Sequence, residues 1–138
     1  MINLSKALIT KAAGSSFLSD VQSRLFKGRA PEGAQYPYVV YSIISDVPDK
    51  TYTEAFENVL IQFSLFSNAS GSTEIEDMFT HLKALYDECE LTLPGAVDDF
   101  IWMKRENATL MIEDHTTPSG TVQVWHYAVD YEIMTQLK

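Results

Sequence analysis

NVLIQFSLFSNASGSTEIEDMFTHLKALYDEC, residues 58–89, decides the fold, because its hydrophobic period changes once along its length. In the first nine residues Val59, Ile61, Phe63 and Leu65 alternate with Asn58, Gln62 and Ser64. That two-residue period marks a strand with one face on a core. After the polar loop 67–71, Ile75, Met78, Phe79, Leu82, Leu85, Tyr86 and Cys89 recur at three- and four-residue spacing over four turns. This is an amphipathic helix with a continuous apolar stripe. Thr73 and Glu76 have capping-box spacing, and acids cluster in the first turn, where the helix dipole favours them. The stripe of the helix predicts that it lies on the apolar face of the sheet.

Working back toward the amino terminus, 2–13 reads as a helix with Leu4, Ala7, Leu8 and Ala12 on one face and Lys6 and Lys11 off it. Gly14 supplies a glycine stop. A second short helix is expected over about 17–24, with Leu18, Val21 and Leu25 at helical spacing. KGRAPEG, 27–33, is loop chemistry throughout. From Pro37 the chain turns to β-branched and aromatic residues: 38–44, YVVYSII, reads as a strand buried on both faces, with Pro37 where no ladder donor is needed. Asp46 to Lys50 breaks that strand, and 46–57 is expected to form a long polar arm or hairpin tip.

Toward the carboxy terminus, 100–105 and 109–112 read as strand pieces interrupted at Glu106-Asn107, and 115–120 as a turn-rich tip. The last strand, 121–134, places Trp125, Tyr127, Val129, Tyr131 and Ile133 on one face and His126, Asp130 and Glu132 on the other. The aromatic face is expected under the helices. The element order is therefore α-α-β-β-α-β-β. It predicts an α+β fold: an antiparallel sheet of about four strands, with amino-terminal helices and one long central helix packed on one face. Residues 1–138 are expected to form a single domain, since 138 residues is the commonest domain size.

Charge narrows the function classes. The chain carries a net −9, yet residues 1–30 hold five bases (Lys6, Lys11, Arg24, Lys27, Arg29) against Asp20 alone. The rest is more acidic still, and such a surface repels a phosphate backbone, against ordinary nucleic-acid recognition. A basic segment facing an acidic body favours head-to-tail contact between copies. One cysteine, Cys89, excludes an intrachain disulfide. No apolar run suits a signal peptide or a membrane span, so synthesis in the cytosol is expected.

Catalytic signatures are missing from the sequence. Asp77 and His81 lie four apart on the helix with Glu74 one turn earlier, but two or three weak ligands lack the closed set of a structural zinc. No metal or cofactor is expected. Cys89 falls on the apolar stripe and reads as a small buried hydrophobe. The pairs Asp98-Asp99 and Glu113-Asp114 lie beside turn residues, without the apolar pocket a glycosidase acid needs. Nucleophile-elbow, Walker and dinucleotide motifs do not occur.

The segment 29–40, RAPEGAQYPYVV, resembles the tail-completion, or tail-terminator, proteins of long-tailed bacteriophages and gene-transfer particles. So does its setting: a helical pair ahead of it, a polar arm, a strand running into one long helix, and the closing strand 122–131, VQVWHYAVDY. The resemblance spans nearly the whole chain. It implies a virion protein forming a ring, hexameric in expectation, at the head-proximal end of the tail tube. There it would end tube growth and join the tail to the head connector. The implied partners are further copies of the chain, the tail tube protein and the head-tail connector. DNA would pass through an acidic lumen without specific binding. The candidate interface residues are the basic Lys6, Lys11, Arg24, Lys27 and Arg29, the arm's Asp46, Asp49, Lys50, Glu54 and Glu57, and the tip's Glu113, Asp114 and His115. Two other readings stay open on sequence alone: another tube or connector component of a phage, and an acidic DNA-mimicking inhibitor of a host protein.

Overall fold

The computed structural model describes residues 2–95 and 98–137. Its elements run α1 (Ile2–Ala12), α2 (Ser16–Asp20), β1 (Leu25–Lys27), β2 (Tyr38–Lys50), β3 (Ala55–Ser67), α3 (Thr73–Tyr86), β4 (Asp98–Thr117) and β5 (Gly120–Leu137). The five strands form one sheet in the order β1-β2-β3-β5-β4. The β2–β3, β3–β5 and β4–β5 pairs are antiparallel, whereas β1 pairs with β2 in parallel.

The mixed helix-and-sheet class agrees with the expectation, but several details are corrected. Among the described residues the strands number five rather than about four, and the β1–β2 edge pair is parallel. The second helix stops at Asp20, because Gln22 and Ser23 adopt left-handed backbone (φ 50° and 65°), which no helix continues through. The chain thereby re-emerges as β1, and Leu25, read as helical, becomes a strand residue. Asp46 to Lys50 does not end β2: the strand continues to Lys50, paired through Lys50–Ala55 with β3. A bulge at Ile44 shifts the register there, which is how a polar segment continues the ladder with its faces exchanged. Likewise β4 is one strand of 20 residues, bulged rather than interrupted beside Glu106. The central helix ends at Tyr86, short of Cys89, since Asp87 turns to extended backbone (ψ 117°) and Glu88 then takes φ 51°. Its N-cap is Ser72 rather than Thr73, and the Ser72 hydroxyl donates to Glu76 Oε2 at 3.1 Å.

All three helices pack on one sheet face. Leu4, Ala7 and Leu8 of α1, Phe17 of α2 and Ile75, Met78, Leu82 and Tyr86 of α3 meet Val39, Tyr41, Val59, Ile61, Phe63, Leu65, Val129, Tyr131 and Ile133. The alternation read in 58–66 and 121–134 is therefore the core face, with Phe79 stacked on Tyr127 at 4.2 Å between ring centres. Gly14 (φ 75°) turns the chain after α1, and the Ser15 hydroxyl accepts from Leu18 N at 3.1 Å to start α2. Tyr86 ties α3 to α1: its buried hydroxyl donates to Leu8 O at 2.8 Å. Tyr86→Phe removes that tie between α3 and α1, and is expected to lower stability by about 0.5–1.5 kcal/mol in denaturant titration.

Candidate assembly surfaces

The register places the two hairpin tips at opposite ends of the sheet. At one end Tyr38 lies beside Phe66, Phe66 beside His126 and His126 beside Met111. At the other, Lys50, Ala55, Leu137 and Asp98 form the last row. Tyr38 and Lys50 are about 40 Å apart along an extended strand at roughly 3.3 Å per residue.

The far half of the β2–β3 hairpin is the arm expected from sequence. Its tip is fixed by backbone: Thr51 N donates to Glu54 O at 2.8 Å, and Glu54 N donates to the Thr51 hydroxyl at 3.1 Å. Asp46, Asp49, Lys50 and Glu54 are exposed. Glu57 is half-buried, and burial first, then the neighbouring Asp46 carboxyl, raise its pKa. Sequence reading missed the arm's apolar groups. Ile44 is 53% exposed, Val47 54%, and Tyr52 at the tip fully exposed at 108%. Tyrosine is among the residue types enriched at the energetic centres of interfaces.

At the opposite end the loop 28–34 and residues 114–118 of the β4–β5 tip wall a groove of about 990 Å³, floored by Tyr38, Val40, Ser42, Ser64 and Phe66. Beside it Glu113 accepts from His126 Nδ1 at 2.8 Å and from His115 Nε2 at 3.1 Å. His115 Nδ1 in turn lies 2.8 Å from the Tyr36 hydroxyl, and Phe66 stacks on His126 with ring centres 4.4 Å apart. Burial, followed by its Tyr36 neighbour, pushes the Tyr38 hydroxyl up to about 12. Burial alone would raise the Glu113 carboxyl too, but the His126 and His115 hydrogen bonds and charges outweigh it and hold it low. A carboxyl held low when folded adds stability above its ordinary value of 4.5, and loses it as pH falls through the folded value. The melting-temperature gap between wild type and Glu113→Gln is expected to be widest above the ordinary carboxyl value of 4.5 and to narrow as pH falls below it. On the same open sheet face Glu132 is raised, chiefly by a hydrogen bond with Glu106. Its contribution has the opposite sign, being lost as pH rises.

The remaining predicted residues divide in two. Lys6 and Lys11 on α1, Lys27 on β1, Arg29 on the loop and Asp114 on the groove wall are exposed. Arg24 is engaged internally: Nε donates to Pro37 O at 3.0 Å and Nη2 to Tyr36 O at 3.3 Å, holding the cis Tyr36–Pro37 segment against the residue that leads into β1. His115 is occupied by Glu113 and Tyr36. His81 pairs through Nδ1 with Asp20 of α2 rather than with Asp77, and Glu74 accepts from Ser67 Oγ at 2.6 Å. Among the described residues no group of three His, Cys, Asp or Glu side chains is placed to hold a metal. Cys89 is half-buried, 3.6 Å from Met103 Sδ, and burial pushes its thiol up, away from the reactive thiolate. Among the described residues no helix is long and apolar enough to cross a membrane.

These surfaces define a class first: an acidic helix-on-sheet protein whose distinctive groups lie at two opposed ends, the build of an assembly component. The profile of the family described as "Tail completion protein gp17" matches residues 3–136, and the chain belongs to that family. It is a structural protein of the bacteriophage tail, located in the virion. The chain is also similar in structure to a chain of a "Virion of native gene transfer agent (GTA) particle", with TM-score 0.74 and 11% identity over 96% of this chain and 94% of that one. At that identity the likeness concerns the fold. No curated protein matches in sequence.

Proposed function

We propose that the protein is a single domain that closes into a ring, hexameric in expectation, on the head-proximal end of the tail tube. The ring ends tube polymerisation and presents a surface to the head-tail connector. The observation that carries this reading is family membership across almost the whole chain, residues 3–136. The physical design supports it. A ring needs two different patches on each copy, and the basic Lys6, Lys11, Lys27 and Arg29 stand against an acidic arm. Net charge of −9 suits a lumen through which DNA passes without sticking. Electron microscopy of the purified protein, alone and with tube ends, tests it. Closed rings of one size are expected; open helical stacks would instead indicate a tube protein.

A further inference from the structure

We infer that the β4–β5 tip is a hinged wall of the groove, latched by one chain of side chains, Tyr36–His115–Glu113–His126, so that the groove has an open form besides the closed one described above. The inference concerns this end of the sheet alone and stands whether or not copies close into a ring.

The tip needs a brace. β3 ends at Ser67, opposite Trp125, so among the described residues the sheet is two strands wide from the Glu113–Val124 pair out to Thr117–Gly120. A two-stranded ribbon is marginal by itself in water. Val124 at its root is buried, next to the loop 68–70, whereas Thr116 and 118–121 are exposed. The hinge therefore falls just outside Val124.

The chain ties this ribbon to the body from both sides. His126 belongs to the three-stranded part, where it pairs with Phe66 and stacks on its ring. Its Nδ1 reaches out to Glu113 Oε2 at 2.8 Å, and Glu113 Oε1 lies 3.1 Å from His115 Nε2. His115, whose ring centre is 5.5 Å from that of Phe66, meets the Tyr36 hydroxyl through Nδ1 at 2.8 Å. Tyr36 is fixed in turn by its carbonyl, which accepts from Arg24. A carboxylate carries no hydrogen, so both imidazoles donate to Glu113, and a neutral His115 accepts from Tyr36. A protonated His115 would donate to the same Tyr36 oxygen, so that bond survives either charge state. Glu113 is the member on which both rings depend. Burial would raise its pKa, but the His126 and His115 hydrogen bonds and charges hold it low. The latch is therefore complete above the ordinary value of 4.5 and is lost as pH falls through the folded value. The other titratable groups facing the chain are the Tyr38 hydroxyl on the groove floor and Arg29, Glu32 and Asp114 on its walls.

Native-state hydrogen exchange of the full chain, in a series of urea concentrations below the unfolding transition, tests the hinge and the latch separately. In wild type the ladder amides of 113–117 and 120–124 are expected to exchange through an opening that urea leaves unchanged, because swinging a ribbon exposes little surface. Amides of the core strand 59–65 are expected to follow the slope of global unfolding. Tyr36→Phe removes one hydroxyl and is expected to raise the opening constant of the tip about fivefold, the equivalent of one lost hydrogen bond, still without urea dependence. Corrected for intrinsic exchange, wild-type tip opening is expected to increase as pH falls below 4.5. Glu113→Gln is expected to open more readily than wild type above that pH and to lose the increase below it. Tip amides that share the global urea slope in wild type would make the tip part of the core and overturn the hinge. Tip exchange unchanged in Tyr36→Phe, or wild-type opening indifferent to pH below 4.5, would overturn the latch.

Discussion

Phe63→Ala is expected to lower stability by about 3–5 kcal/mol, and melting temperature by about 10–20 °C. Phe63 is fully buried on β3 and joins three parts of the core. Its ring stacks on Tyr86 of α3 at 5.0 Å between centres, meets Tyr131 of β5 edge-on at 5.8 Å, and lies 6.1 Å from Tyr41 of β2. Truncation removes the transfer contribution, leaves a cavity among rigid aromatic rings that cannot collapse, and breaks geometry-dependent ring contacts of about 0.5–1.5 kcal/mol each. Against a total near 5–15 kcal/mol this is about a fifth of the stability or more. Urea denaturation followed by tyrosine and tryptophan signal checks it. A loss under about 1 kcal/mol would mean that the helices do not pack on this face as described.

Reversing Lys6, Lys11, Lys27 and Arg29 together to glutamate is expected to abolish ring assembly near physiological salt while leaving the melting temperature almost unchanged. All four side chains are exposed, so the fold does not depend on them. Copy-to-copy contact does depend on them if a basic patch meets the acidic arm, because like charges at an interface cost several kcal/mol. Arg24 is left out of the set: its guanidinium is spent on the Tyr36 and Pro37 carbonyls, and changing it would confuse folding with assembly. Light scattering should report the mass of one copy for the variant and of the ring for wild type. Salt should weaken the wild-type ring in the same direction, since exposed charges are screened. An intact variant ring would remove the electrostatic patch from the account.

The legible parts of the fold are those whose signal is local. In 58–89 the period switches from two to 3.6 within one segment, and both elements stand where the pattern puts them, even though the cap falls on Ser72 and the helix ends at Tyr86. What escaped depends on partners far along the chain. Leu25, Phe26 and Lys27 are too few to show a period, and become a strand only because Val39, Val40 and Tyr41 pair with them. Asp46 to Lys50 contains Pro48 and three charges and reads as a breaker, yet 55–59 supplies a ladder for it. The interface residues divide the same way. Exposure of the charged candidates followed from their type, whereas the internal role of Arg24 depends on carbonyls twelve and thirteen residues away. Glu113 and His115 are two apart and so share a strand face, but His126 joins them only through the β4–β5 register. Tyr52 carried a signal that was passed over: a lone aromatic among Thr, Lys and Glu in a turn has no core to enter.

The central claim is that this protein ends tube growth by capping one end of the tail tube. Its most direct test is the length of tail tubes polymerised with and without it, measured by electron microscopy, together with the infectivity of particles finished in its presence. The account predicts tubes of limited length bearing one ring at a single end, and infectivity restored to particles lacking this component. Tubes that grow unchanged, or that incorporate the protein along their whole length, would contradict it.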